Sequence, residues 1–329
     1  MSAALLVRVL RDPAQVGRLD ADGWNRLLAA ARAERLIGTL AFRLDDIAVP
    51  DGVRPILTDA KRDTAREAQQ ALWEADRAGQ AMRGLGVRLV LLKGTAYVAA
   101  GLRAGQGRFI GDLDILVPRD TMPAVERALI AAGWEWVKED PYDDAYYRQW
   151  MHELPPMIHV ERDRMIDVHH TVLPLTARQT PDAAAMIADA VPIINGLYVL
   201  STEDRIVHSV AHMLADGDMQ GGLRNLWDIH CLLPDADPAA LEARATHHGL
   251  ASHVRQARRL AAAIYGDGAC LTLWDRLARA RLLARNGWGQ ESRKLLVFAF
   301  YLRSHWLRMP PLMLLRHLWT KWRKGHRPQ

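Results

Sequence analysis

The sequence predicts an α+β protein in which a small mixed sheet sits between two helical lobes. Two observations at the ends and one in the middle carry this expectation. Apolar residues recur at helical spacing in Trp24, Leu27, Leu28 and Ala31, and again in Ala68, Leu72 and Ala75. From about residue 84 to 175 the pattern shortens to strand-like runs. Beyond Ser201 it is helical again. The expected division is a helical lobe over 1–83, an α/β core over 84–200 and a helical lobe with a basic tail over 201–329.

Each element has a local reason. Pro50-Asp51-Gly52 is a turn between the first helices, and Gly84-Leu85-Gly86 ends the lobe. Val87 to Leu92 reads as a buried strand, and Lys93-Gly94-Thr95 opens a helix to about Arg103. Residues 112–117 form a second strand. Thr121 is the expected N-cap of a helix that Gly133 ends. Trp134 to Val137 alternates like a strand. Met157 to Val160 and Met165 to His169 pair through a turn at Glu161-Arg162-Asp163-Arg164. Asn195-Gly196 tips a small hairpin over Pro192 to Leu200. Ser201-Thr202-Glu203-Asp204 starts a helix with acid in its first turn.

The chemistry is concentrated in the core. Asp112 and Asp114 are two residues apart on an apolar strand, so both carboxylates face one side. Like charges on one face are costly to bury unless a cation lies between them. Mg2+ with nucleotide phosphates is the usual solution. Asp167 lies in another apolar strand and joins them as a third metal ligand, and as a base, if the strands are neighbours. At Lys93-Gly94-Thr95 a strand turns into a helix, which presents N–H groups to an anion. Gly94 lets phosphate approach the backbone, and Lys93 and Arg108 neutralise its charge.

The ordered set Leu92-Lys93-Gly94, Arg108, Asp112-Leu113-Asp114 and Ile166-Asp167-Val168-His169 resembles the bacterial "uncharacterised nucleotidyltransferase" family, within the DNA polymerase β-type superfamily. The resemblance spans about residues 20–235 and includes Asp204 to Asp228, with His212, Arg224, Trp227 and Asp228. It implies a Mg2+-dependent enzyme that moves a nucleoside monophosphate from an NTP, with ATP or CTP expected, to an acceptor that it does not identify. It also raises His212, Arg224 and Asp228 as cleft residues, against a plain i, i+4 ion pair for the latter two. The superfamily usually carries Gly-Gly or Gly-Ser where this chain has Lys93-Gly94-Thr95; the subfamily shares the Lys-Gly form.

Composition sets the compartment and the partners. Cys231 and Cys270 cannot make a disulfide framework and read as buried free thiols. Met1 to Leu10 is too short for a signal peptide, and no apolar run nears the ~20 residues of a spanning helix, so a cytoplasmic protein is expected. After Glu291 there are nine basic residues and no acidic one. The rest holds 34 basic against 38 acidic residues, a net of −4. Tryptophans Trp306, Trp319 and Trp322 among these bases suit peripheral contact with an anionic membrane. Nucleic acid is not favoured, because the body has no basic stripe. The rival readings are a non-catalytic nucleotide-binding accessory or scaffold protein, and a toxin-like nucleotidyltransferase acting on tRNA. His208 and His212 at i, i+4 lack a third zinc ligand in the sequence.

Overall fold

The computed structural model describes residues 2–137 and 141–310, together with Leu314 and Trp319. Four helices come first: α1 (Ser2–Arg11), α2 (Ala21–Ala33), α3 (Ile37–Arg43) and α4 (Arg54–Met82). The Asp20 carboxylate caps α2 by accepting from the Gly23 N–H at 2.8 Å. At 29 residues α4 is about 43 Å long. It packs against α3 and against the sheet.

Seven strands follow among the described residues: β1 (Val90–Leu91), β2 (Asp112–Leu116), β3 (Trp134–Trp136), β4 (Met157–His159), β5 (Met165–His169), β6 (Val191–Pro192) and β7 (Tyr198–Val199). They form one mixed sheet in the order β3-β4-β5-β2-β1-β7-β6. This is the α+β architecture that the sequence predicts. β2 lies at its centre, parallel to β5 and antiparallel to β1. The hairpins expected at 161–164 and at Asn195-Gly196 both form, with Asn195 in the left-handed region at φ 60°.

Three local expectations are corrected. The helix α5 (Lys93–Ala99) stops short of Arg103, because Gly101 takes φ 65° and the Leu102 N–H turns back to the Tyr97 carbonyl. Thr121 stands at the N-cap of α6 (Met122–Ala131), but its hydroxyl makes no capping bond and donates instead to the Pro118 carbonyl at the preceding 3-10 turn. Cys231 is buried as expected, but Cys270 is exposed.

The C-terminal half is built from α9 (Thr202–Val210), α10 (Gly222–Leu232), α11 (Pro238–His247), α12 (Ala251–Tyr265), α13 (Leu273–Leu282) and α14 (Lys294–Arg308), after the short α7 (Pro141–Trp150) and α8 (Ala183–Ala188). Ser201 caps α9 as expected. Asp204 does more than face the helix dipole. It is fully buried and accepts from Arg244 through two bonds of 2.6 Å and from His248 at 3.0 Å, which fastens α9 to α11. α9 runs on into a π-helical turn, Ala211–Asp216. A single apolar cluster extends from Ala3 through the sheet strands to Phe300.

Gly38 and Gly107 bring α3 against the loop before β2. A Cβ on Gly38 would sit 2.5 Å from the Gly107 carbonyl oxygen, and Gly107 itself has φ 64°. This contact sets where the next residue, Arg108, begins. Gly38→Ala should therefore lower unfolding free energy by about 2 kcal/mol, as overpacking does, measured by urea denaturation. An unchanged midpoint would mean that the loop is free to shift.

Candidate active site

The sheet register creates the site. In the parallel β2–β5 pair Asp114 stands opposite Asp167, and residues two apart share a face. Asp112, Asp114, Asp167 and His169 therefore project from the same side. One oxygen from each of the three carboxylates lies within 4.8 Å of the others. Asp112 is exposed at the strand end, Asp167 is half-buried, and Asp114 is 3% exposed.

One positive side chain reaches this cluster. β1 is paired to β2 so that the Leu92 N–H donates to the Asp114 carbonyl, which puts Lys93 beside the same aspartate. Lys93 Nζ donates to Asp114 Oδ1 at 2.6 Å. His169 Nε2 lies 3.0 Å from that same oxygen. Lys93 has φ 47°, a strained value for a side-chain-bearing residue and one that costs on the order of 1–3 kcal/mol.

The charges do not balance. Burial alone would raise the Asp114 carboxyl, but Lys93 and His169 outweigh it and hold it well below the usual range. Asp112 is raised, first by the Asp114 charge and then by burial. Asp167 is pushed up to about 7 by burial and by the charges of Asp114 and Glu153. Its Oδ1 is buried and has no hydrogen-bond partner. A buried carboxylate oxygen left unpaired next to two other acids is the place for a cation. The all-oxygen donor set of Asp112, Asp114 and Asp167 fits Mg2+.

The remaining predicted residues form a second group behind the first. Arg108 pairs with Asp228, not with Asp112. Asp228 also accepts from Arg224, whose Nη1 donates to Thr39 Oγ1 at 2.6 Å. Arg224 and Asp228 are buried, so the i, i+4 ion pair is present and is extended by Arg108 and Thr39. The open side of Gly94 is filled by Arg108, whose Nε would be 2.6 Å from a Cβ there. The glycine thus admits the guanidinium at a point where the sequence suggested a phosphate. Thr95 Oγ1 and Arg108 Nε are buried without partners.

His212 sits in the π-helical turn and lines a crevice of about 10 Å3 with Lys93, Tyr97, Arg108, His208 and Asp228. That is room for about one water. Burial and then the Lys93 charge keep His208 and His212 neutral; His208 is pushed down to about 3. A larger groove of about 560 Å3 opens beside Gly111, the residue before Asp112, and is lined by Arg32, Arg35, Asp59, Asp63 and Glu67.

Sequence reasoning gave no role to His169, Glu153 or His152. His169 had a signal, because it is two residues past Asp167 on the same strand. Glu153 had none. It reaches the site only through an isolated antiparallel bridge to His169.

The raised Asp167 pKa has a testable sign. Its folded value, about 7, lies above the unfolded carboxylate value, so between about pH 4 and 7 the folded state binds a proton that the unfolded state has lost. Metal-free stability should fall as pH rises through that window. Asp167→Asn should flatten the fall, and Mg2+ at pH 7 should raise the wild-type melting temperature. Parallel melting-temperature profiles for the two proteins would contradict the assignment.

Two comparisons bear on this arrangement. No curated protein matches the chain. Residues 20–266 match the family described as "Uncharacterised nucleotidyltransferase", a region that holds α5, β2 and β5, which bear Lys93 and the carboxylates, and continues through α12. That match covers most of the chain. The protein belongs to this nucleotidyltransferase family and is a transferase by class.

Proposed function

We propose that the protein transfers a nucleoside monophosphate from an NTP to an acceptor and releases pyrophosphate. The observation that carries this reading is the in-register set Asp112, Asp114 and Asp167 with its unpartnered buried oxygen. When bound, Mg2+ supplies neutralisation of the triphosphate and of the charge that develops in an in-line displacement. Asp112 and Asp114 are its principal ligands, and Asp167 completes the set. Asp167 is also the group that accepts the proton of the attacking hydroxyl or phosphate.

The neighbouring groups have consistent tasks. Lys93, which donates to Asp114, would turn to the triphosphate where Asp114 holds Mg2+. Thr95 Oγ1, buried and unpartnered, and the first turn of α5 offer donors to the phosphates. Arg108 stands beside Gly94, and Arg224 and Asp228 fix it from behind. His212 walls the crevice as a neutral side chain. ATP and CTP are the donors to try first. The groove beside Gly111 has residues of both charge signs, which suits a polar acceptor. Segment 84–200 carries the chemistry in this reading, and segments 1–83 and 201–329 wall it.

Asp112→Asn and Asp114→Asn should each lower Mg2+-dependent pyrophosphate release by about 100-fold or more, the scale of losing one transition-state charge contact. Their circular dichroism should stay that of the wild type. Variants that retain full turnover and full thermal stabilisation by Mg2+ with NTP would refute the site.

A membrane contact fits the C-terminal surface. Leu295, Phe298, Leu302 and Trp306 recur every three to four residues along α14 and are all exposed, Leu295 at 88%. Arg293 and Lys294 are exposed at the start of the same helix. The nearby acids are engaged elsewhere: Asp275 is buried against Arg259, and Glu291 pairs with Arg281. Among the described residues no helix is long and apolar enough to cross a membrane, so the contact is peripheral. Arg316, Lys321, Trp322, Arg323, Lys324 and Arg327, which the sequence reading included, lie outside the described residues. Anionic vesicles should pellet the protein at low salt and release it at high salt. The double variant Leu295→Ser with Phe298→Ser should pellet less. Equal pelleting of both proteins, or none, would remove the proposal.

A further inference from the structure

We propose that His152, Glu153 and His169 bind a transition-metal ion of the Zn2+ class, at a site separate from the three aspartates. His169 Nδ1 lies 3.3 Å from Glu153 Oε2, and His152 Nε2 lies 3.6 Å from the same oxygen. One ligand atom from each of the three residues lies within 4.8 Å of the others. A tetrahedral ion with bonds of about 2.0–2.1 Å has ligand-to-ligand edges of about 3.3–3.4 Å. The separations of 3.3 and 3.6 Å are close to that edge.

The three ligand atoms face one another. Asp114 Oδ1 lies 3.0 Å from His169 Nε2. That contact leaves His169 Nδ1 as the ring atom that faces Glu153. His152 presents its Nε2 to the same Glu153 oxygen. A divalent ion satisfies all three.

The scaffold is already assembled. The Leu154 N–H donates to the Val168 carbonyl at 2.9 Å, and the His170 N–H donates to the His152 carbonyl at 2.9 Å. These bonds pin the 152–154 segment along the end of β5. The His152 and His169 rings stack with centroids 5.2 Å apart. Asp114 on the far nitrogen of His169 is the carboxylate–histidine arrangement that orients metal-binding imidazoles. Two imidazoles and one carboxylate favour Zn2+ or Co2+, whereas three aspartates favour Mg2+. The two sites thus differ in the class of ion they select and share one strut, the Asp114–His169 bond. The ion at the histidine site fixes the His169 tautomer and with it the aim of Asp114.

Co2+ is the probe, titrated into the full-length protein in excess Mg2+ and followed by its visible d–d absorption. One equivalent should bind with a low-symmetry, intense spectrum, and Zn2+ should displace it. His152→Ala should weaken Co2+ binding at least ~10-fold, the lower end of what loss of even an outer-shell partner costs. Asp112→Asn should leave it unchanged. Glu153→Gln, which keeps the side-chain size, should weaken Co2+ binding as well and stands in for His152→Ala if that variant does not fold. No Co2+ absorption in excess Mg2+ would overturn the proposal. So would binding that survives Glu153→Gln or that disappears in Asp112→Asn, since the ion would then sit on the aspartates.

Discussion

Mutual repulsion among carboxylates at the end of β2 and β5 is the constraint on which the rest of the structure depends. Two unit charges ~4 Å apart interact by about 4 kcal/mol at an effective dielectric of 20. Asp112, Asp114 and Asp167 lie near one another, and the charge of Glu153 acts on Asp167, while the close positive group among the described residues is Lys93. The surrounding features offset that imbalance. Lys93 accepts a strained backbone to reach Asp114. His169 is raised in pKa because the hydrogen bond to Asp114 and the charge of Glu153 outweigh its burial. Asp167 retains a proton to about pH 7.

Arg108 could have balanced those acids, but the fold directs it elsewhere. It lies over Gly94, pairs with Asp228, and through Asp228 meets Arg224 and Thr39. Thr39 in turn donates to the Gln106 carbonyl, next to the Gly38–Gly107 contact. The chain of contacts runs from α3 through the loop before β2 to α10. It places two guanidiniums around one carboxylate, one positive charge in excess, in a mostly buried setting. Removing Asp228 from such a network leaves positive charge buried without a partner, which explains why its value is structural as much as chemical. The site therefore has an outer frame with a positive charge in excess and an inner, acid-rich face.

The inner face was legible in the sequence for a simple reason. Asp-x-Asp in an apolar run and a lone Asp in a second run can only be explained by strand alternation, and the parallel register then places Asp167 opposite Asp114. The α+β layout was legible through the change of period near residue 84. Other parts depend on contacts that sequence spacing does not encode. The choice of Asp228 as partner for Arg108 joins residues 120 positions apart. Asp204 looked like a first-turn acid, but its Arg244 and His248 partners come from a later helix. Glu153 reaches the site by an isolated bridge outside any regular strand. The end of α5 turned on Gly101, whose left-handed backbone overrode the apolar pattern beyond it.

The neutral wall opposite the acids completes the physical picture. His208 and His212, one helical turn apart, both line the crevice with Lys93, His212 from the π-helical turn at Ala211–Asp216. Both are kept uncharged by burial, and neither offsets the carboxylates. A neutral, water-poor wall raises the strength of every charge interaction that faces it. One ammonium on Asp114 then stands where the acids call for at least two positive charges. A divalent ion would meet that demand, whereas a second protein cation in the same place would close the site.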